Sequence, residues 1–90
     1  MNELRQLPNI GQKLADKLIR VGIKNADGLR ELGSENAFIR IATLERTEIC
    51  INMLFALEGA VQGIRWHNLP GDLKEHLKSF YKQTVKLSKW

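Results

Sequence analysis

The sequence predicts an all-α domain, and three observations support that prediction. Apolar residues recur at intervals of three and four along most of the chain, which is the spacing of one helix face. No stretch alternates apolar and polar residues over the length of a strand. Residues that cap or end helices, such as Gly22, Asn25 and Gly33, separate the periodic segments. We therefore expect a compact bundle of five to six helices.

Composition limits the kind of protein that the chain can be. Its 90 residues, 43% hydrophobic and 27% charged, suit one folded domain over 1–90 rather than a disordered chain. The sequence lacks a membrane-length apolar run, a signal-peptide region and a second cysteine, so we expect a cytoplasmic protein without a membrane partner. The net charge of +4 favours polyanionic partners, although many proteins with this charge bind no nucleic acid.

The first three helices are predicted from periodicity and caps. A short helix over 2–7 ends before Pro8, because proline cannot continue a preceding helix. An amphipathic helix follows over 12–21, and Gly22 suits its C-terminus. Asn25 is a good N-cap for the third helix, Ala26–Leu32.

The middle of the chain predicts two more helices, over 35–44 after Ser34 and over 48–64 after Thr47. The second is apolar on most sides, so either the other helices or another subunit must cover it. Two glycines on one face would let a neighbouring backbone come close. The candidate interface for a homo-oligomer or a protein partner comprises Phe55, Gly59, Gly63 and Trp66.

Two further residues of this segment carry specific expectations. Cys50 lies on the apolar stripe and is expected to be a buried small hydrophobe rather than a nucleophile. Glu58 either faces solvent or pairs with Arg65 or a backbone N–H, and the pair is favoured.

The last helix is predicted over 71–86, after Pro70, and belongs to a Lys-rich segment over 71–90. One side is apolar, and the other carries lysines four residues apart: Lys74, Lys78, Lys82 and Lys86. The simpler interpretation is a solvated face, and the functional one is a stripe that follows phosphates.

The turn between 2–7 and 12–21 is the candidate functional site. A helix N-terminus presents N–H groups and a positive dipole end, which together bind phosphate. Lys13 and Lys17, one turn apart, would add positive charge, although the same pattern also occurs in plain helical connectors. The candidate nucleic-acid-binding residues are Asn9, Ile10, Gly11, Gln12, Lys13 and Lys17, with Lys78 and Lys82 extending the contact.

Patterns typical of catalysis are missing from the sequence. His67 and His76 have no partner at metal-ligand spacing, and there is no paired-carboxylate, Ser/His/Asp or Gly-rich nucleotide motif. We therefore expect no enzyme, metal, cofactor or small-molecule substrate. Trp66 and Trp90 could stack on bases, but Trp66 follows the central helix and better suits the core or an interface.

The order of these motifs resembles the C-terminal domain of the TfoX (Sxy) family of bacterial competence regulators, up to about Leu77. The matching residues are Leu4-x-x-Leu7-Pro8-Asn9-Ile10-Gly11, Leu18, Val21-Gly22-Ile23, Leu29-x-x-Leu32-Gly33, Ala37, Asn52-x-Leu54-x-Ala56-Leu57-Glu58-Gly59-Ala60 and Trp66-x-x-Leu69-Pro70. The resemblance implies a SAM-like fold with a helix-hairpin-helix-like unit over 2–23. Asn9 departs from the strongest DNA-binding hairpin pattern, which has a glycine there.

Two functions are compatible with the sequence. The first is a non-catalytic module that binds the DNA backbone without sequence preference through the turn. The second is a protein-interaction or self-association module, in which the apolar segment 48–64 and Trp66 form the interface.

Overall fold

Helices follow one another along residues 3–45 and 49–87, which are the residues that the computed structural model describes. No residue in these ranges belongs to a strand, so the all-α prediction is confirmed. The elements, in chain order, are a 3-10 helix (Glu3–Gln6), α1 (Gln12–Arg20), α2 (Ala26–Leu32), α3 (Ser34–Leu44), α4 (Ile51–Gln62), a second 3-10 helix (Trp66–Asn68) and α5 (Gly71–Leu87).

Most boundaries agree with the sequence prediction, and α2 agrees at both ends. The first element is a 3-10 helix, closed by a hydrogen bond from the Leu7 N–H to the Leu4 carbonyl. The second 3-10 helix was not predicted, because three residues carry no periodicity that a sequence pattern could show.

The prediction for the start of α4 was wrong. Cys50 has an extended backbone and is the N-cap, so the helix begins at Ile51. Cys50 is also exposed rather than buried, because it precedes the helix and does not share its inward face. Thr47 and Glu48, where we expected the helix to start, lie outside the described residues, as does Trp90.

The core forms around α4, which packs against α2, α3, α5 and the second 3-10 helix. Its inward residues meet Phe38, whose ring lies 6.5 Å from Phe80 and 5.9 Å from Tyr81, measured between ring centroids. The largest fully buried side chains are Leu4, Leu18, Leu29, Phe38, Ile41, Leu54, Leu57 and Leu77. The apolar character of α4 is therefore explained by helices of the same chain. None of the described helices is both long and apolar enough to cross a bilayer.

Candidate functional site at the first turn

Asn9 fixes the first turn, residues 7–12, against the C-terminal end of α4. Its φ of 70° is the one positive value among the described non-glycine residues. The Asn9 side-chain amide donates to the carbonyl oxygens of Ile64 (2.9 Å) and Ala56 (3.5 Å). Its Oδ1 accepts a hydrogen bond from the Trp66 N–H at 3.2 Å. The Asn9 side chain thus joins two parts of the fold and is not directed at a ligand.

Gly59 provides the space for this contact. A Cβ atom at residue 59 would lie 2.4 Å from the Asn9 Nδ2 and 2.8 Å from the Ile64 carbonyl oxygen. Such distances are far shorter than van der Waals contact. The close backbone approach predicted for Gly59 therefore occurs within the chain, where Asn9 and the residues after α4 fill the space.

Ile10 also serves the fold, because its side chain packs in the core and its N–H is hydrogen-bonded within the chain. Its side chain is 5% exposed and belongs to the core, and its N–H lies 3.4 Å from the Leu7 carbonyl oxygen with hydrogen-bond geometry. The protein itself therefore uses the Ile10 amide, which we had included among the phosphate donors. Asn9 and Ile10 hold the turn, and the residues that follow present the open donors.

The backbone N–H groups of Gly11, Gln12 and Lys13 point out of the start of α1. Gly11 is the N-cap, and no side chain caps the helix. Within the described ranges no acceptor meets these three N–H groups, and all three residues are exposed. The Gln12 side chain is occupied by Asp16, at 2.9 Å. The start of α1 therefore combines unsatisfied donors with the positive end of the helix dipole.

The two lysines of the predicted site differ in their surroundings. Lys17 forms an ion pair with Glu45, which also accepts a hydrogen bond from Arg20 at 2.6 Å. The Lys17 and Glu45 side chains are only 13% and 15% exposed, and the hydrogen bond from Lys17 lowers the pKa of the Glu45 carboxyl. Lys13 is exposed and meets no acid among the described residues. Lys13 is thus the better placed cation for an anion at the turn.

Lys78 and Lys82 lie at the other end of α4. With Tyr81 they line one surface pocket together with Ile51, the first residue of that helix, whereas the turn contacts Gly59 and the residues beyond it. The eight-residue step from 51 to 59 corresponds to about 12 Å of helix. Lys78 also pairs with Glu75 at 3.1 Å. The structure therefore does not bring these two lysines to the turn.

Instead, an unpredicted group of side chains borders the turn. The Trp66 ring stacks on Phe55 at a centroid distance of 5.4 Å and on His67 at 4.0 Å. The Lys74 Nζ lies 5.8 Å from the Trp66 ring centre and donates to the His67 carbonyl oxygen at 3.1 Å. The sequence placed Lys74 only in the lysine stripe of α5 and gave His67 no binding role, because the contact of residue 9 with residue 66 that brings them here is long-range.

The candidate interface residues are divided between the interior and the surface. Phe55 is 5% exposed and Gly59 is buried, so a partner cannot reach either of them in this fold. Gly63 is exposed and ends α4 in the left-handed conformation, while Trp66 is partly exposed. Only the last two could take part in an interface.

Glu58 has partners other than the expected Arg65. Its carboxylate accepts from the Ser34 hydroxyl at 2.5 Å and from the Gln62 side-chain amide at 2.6 Å. The packing of α3 on α4 brings the buried Ser34 to this position, which local sequence could not reveal. Within the described ranges, no group of three or more His, Cys, Asp and Glu residues could hold a metal ion.

Comparison with protein families gives one match over most of the chain. The model of the TfoX C-terminal domain matches residues 1–81. A 41-residue segment is 46% identical to DNA transformation protein TfoX of Haemophilus influenzae, and covers 46% of this chain and 19% of that protein. A 74-residue segment is 35% identical to protein Sxy of Escherichia coli, and it covers 82% of this chain and 35% of that protein. The chain therefore matches at most about a third of these curated relatives.

Two crystal structures from Listeria monocytogenes are similar to the chain over most of both lengths. A triclinic form of an uncharacterized protein has a TM-score of 0.86 and 48% identity, and covers 89% of this chain and 90% of its own. A tetragonal form of a protein of unknown function has a TM-score of 0.86 and 46% identity, and the match covers 89% of this chain and 98% of the other.

Proposed function

The chain belongs to the TfoX C-terminal domain family, and on that premise we propose that it is a non-catalytic, cytoplasmic module that binds the DNA backbone without sequence preference. One observation carries the proposal: the N–H groups of Gly11, Gln12 and Lys13 are open at the start of α1. A relative named DNA transformation protein supports a role connected with DNA, and we extend a role in transformation to this chain.

The chemistry of the turn suits a phosphate better than a base. The three N–H groups and the dipole of α1 would hold one or two phosphate oxygens, and Lys13 would add a point charge. Contacts of this kind position a protein on nucleic acid but carry no sequence information. Lys17 contributes less to this site than we expected, since Glu45 already neutralises it.

A matched pair of acidic substitutions tests this function. Gly11 and Asn52 are both exposed and lie at or near the start of a helix, and Gly11 has open space where a Cβ would lie. Gly11→Glu places a carboxylate among the proposed phosphate donors, whereas Asn52→Glu makes the same change of charge at the end of α4 away from the turn. We expect Gly11→Glu to weaken duplex binding by about tenfold or more, and Asn52→Glu by less than about twofold.

Fluorescence anisotropy with a labelled duplex at low salt measures both affinities, and circular dichroism checks that both variants are folded. Equal losses in the two variants would show that only net charge matters. An absence of binding at tens of micromolar would reject DNA binding by this domain.

A protein-interaction or self-association module is the second candidate function. Three large apolar side chains on α1 and α3 are exposed, namely Ile19 (42%), Ile39 (41%) and Leu44 (54%). This second function requires that they form one contiguous apolar patch, since such patches are typical of sites that another protein covers. Sedimentation velocity separates the two functions: a dimer that Leu44→Lys dissociates, together with no DNA binding, would favour this second candidate.

A further inference from the structure

A stack of three rings runs from the core to the surface beside the first turn. Phe55 is buried, Trp66 is partly exposed, and His67 is exposed. The ring planes differ by 23° between Phe55 and Trp66 and by 25° between Trp66 and His67, so each neighbouring pair is stacked. One face of the His67 ring is covered by Trp66, and the exposed remainder of this side chain ends the stack at the surface.

Lys74 places a positive charge beside this stack. Lys74 is held there by its hydrogen bond to the His67 carbonyl oxygen (3.1 Å) and by its position over the Trp66 ring (5.8 Å). Arg65, the residue before Trp66, is exposed. A planar group that stacks on His67 would therefore be favoured if it also carried negative charge.

The stack and the turn that carries the open N–H groups are joined by a hydrogen bond. Asn9 accepts a hydrogen bond from the Trp66 N–H at 3.2 Å, and Gly11 follows Asn9 by two residues. Two residues span at most about 7 Å. The two sites are therefore close enough for one strand of several nucleotides to place a phosphate at the turn and a base at the stack.

We propose that His67, at the end of the Phe55–Trp66–His67 stack, binds an unpaired nucleobase, and that the protein therefore prefers single-stranded DNA to a fully paired duplex. Bases inside a duplex are already covered by their neighbours, whereas an unpaired base offers a free face to an aromatic ring. The inference rests on the proposed function, since the turn and Lys74 supply the contacts to phosphate that place the base.

The first experiment compares three labelled ligands by fluorescence anisotropy: a thymidine strand of about 12 nucleotides, an abasic strand of equal length, and a blunt duplex. We expect the thymidine strand to bind at least about fivefold more tightly than either of the others. The abasic strand keeps the phosphates and lacks the bases. Equal affinity for the abasic and the thymidine strand would overturn the inference.

A matched pair of histidine variants locates the base. His67→Ala should lower affinity for the thymidine strand by about tenfold and leave duplex affinity within about twofold. His76→Ala removes another exposed histidine, which pairs with Glu35 on α3 and lies on α5, and should change neither affinity. Equal losses in both variants, or an equal loss for both ligands in His67→Ala, would overturn the inference.

Tryptophan fluorescence provides a second measurement. The chain contains two tryptophans, so Trp90→Phe leaves Trp66 as the single reporter. We expect the thymidine strand to quench Trp66 emission and the abasic strand to leave it unchanged; no quenching by the thymidine strand at saturation would count against the stack as its binding site.

These outcomes separate the inference from the proposed function. Duplex binding that is sensitive to Gly11→Glu, without any preference for single strands, would reject the inference and keep the proposed function. Binding to the thymidine strand that depends on His67 and is insensitive to Gly11→Glu would keep the base site and reject the turn as the phosphate site.

Discussion

Asn9 shows how one side chain can decide the position of a candidate site. Three backbone groups near the end of α4 are hydrogen-bonded by its amide. A glycine at this position would adopt the same left-handed backbone more easily, but it could not make these bonds. The residue that departs from the strongest DNA-binding hairpin pattern is thus the residue that attaches the turn to the fold.

We expect Asn9→Ala to lower the free energy of unfolding by about 2–4 kcal/mol, because the partner groups lose their hydrogen bonds and alanine is strained at a positive φ. Asn9→Gly loses the same bonds without the strain and should cost less. Urea denaturation measures both variants. Asn52→Ala, at an exposed position of α4, is the control and should be nearly neutral. A neutral Asn9→Ala would contradict this account of the turn.

Gly59 gives a second prediction at the residue scale. Gly59→Ala places a methyl group 2.4 Å from the Asn9 Nδ2 and 2.8 Å from a backbone oxygen, so the turn must move away from α4. We expect a loss of about 1–3 kcal/mol, although alanine is the better helix former. Gly71→Ala, at an open position in α5, should be neutral or stabilising. Thermal unfolding of both variants is the measurement, and equal midpoints would rule out the proposed close contact.

At the scale of elements, one carboxylate just after α3 links that helix to α1 by ion pairs. Glu45 follows the last residue of α3 and contacts both Lys17 and Arg20 of α1. The pKa of Glu45 is lowered in the folded protein, chiefly by the hydrogen bond from Lys17. A lowered pKa means that the folded state favours the ionised carboxylate, so Glu45 contributes stability at neutral pH.

This contribution should be lost on acidification, as the pH falls below the ordinary glutamate value of about 4.3 and through the lowered folded value. The difference in urea midpoint between the original protein and Glu45→Gln is therefore largest near neutral pH and shrinks in acid. Glu31→Gln is the control, because Glu31 is exposed and forms no ion pair within the described residues. A midpoint difference that stays constant with pH would show that the charge of Glu45 is not responsible.

At the scale of the whole molecule, the positive charge is spread over separate surfaces. The turn lies toward the C-terminal end of α4, whereas Lys78 and Lys82 share a surface pocket with its first residue, Ile51. A duplex held at the turn therefore does not reach Lys78 and Lys82, and its nearby cations are Lys13 at the turn and Lys74 at the adjacent stack. We expect such binding to be weak and to depend only modestly on salt.

We expect the duplex binding constant to fall with salt concentration. On a plot of the two logarithms the slope should be about −1 to −2, which is the value for one or two neutralised phosphates. Replacing Lys78 and Lys82 together with alanine should leave this slope unchanged. Anisotropy titrations over a range of salt concentrations measure the slope for the original protein and for the double variant. A slope steeper than about −4 that these replacements reduce would show that the last helix also binds the duplex.

Local sequence patterns were enough to predict the helical class, the bounds of α2, the position of the turn and the resemblance to the family. These features depend on local properties, namely the periodicity of apolar residues, helix caps and residues that tolerate a left-handed backbone. Local pattern also predicted the start of α1 to the residue, because Gly11 and Gln12 follow a proline turn directly.

Long-range packing decides which groups of the turn remain open to a ligand. The hydrogen-bond partners of Asn9 are 47 to 57 positions away from it in the sequence, and Glu45, the partner of Lys17, is 28 positions away. His67 and Lys74 reach the turn through the same long-range contacts. Apolar periodicity specifies the face that a helix buries, but the polar partners of a side chain depend on how helices distant in sequence pack together.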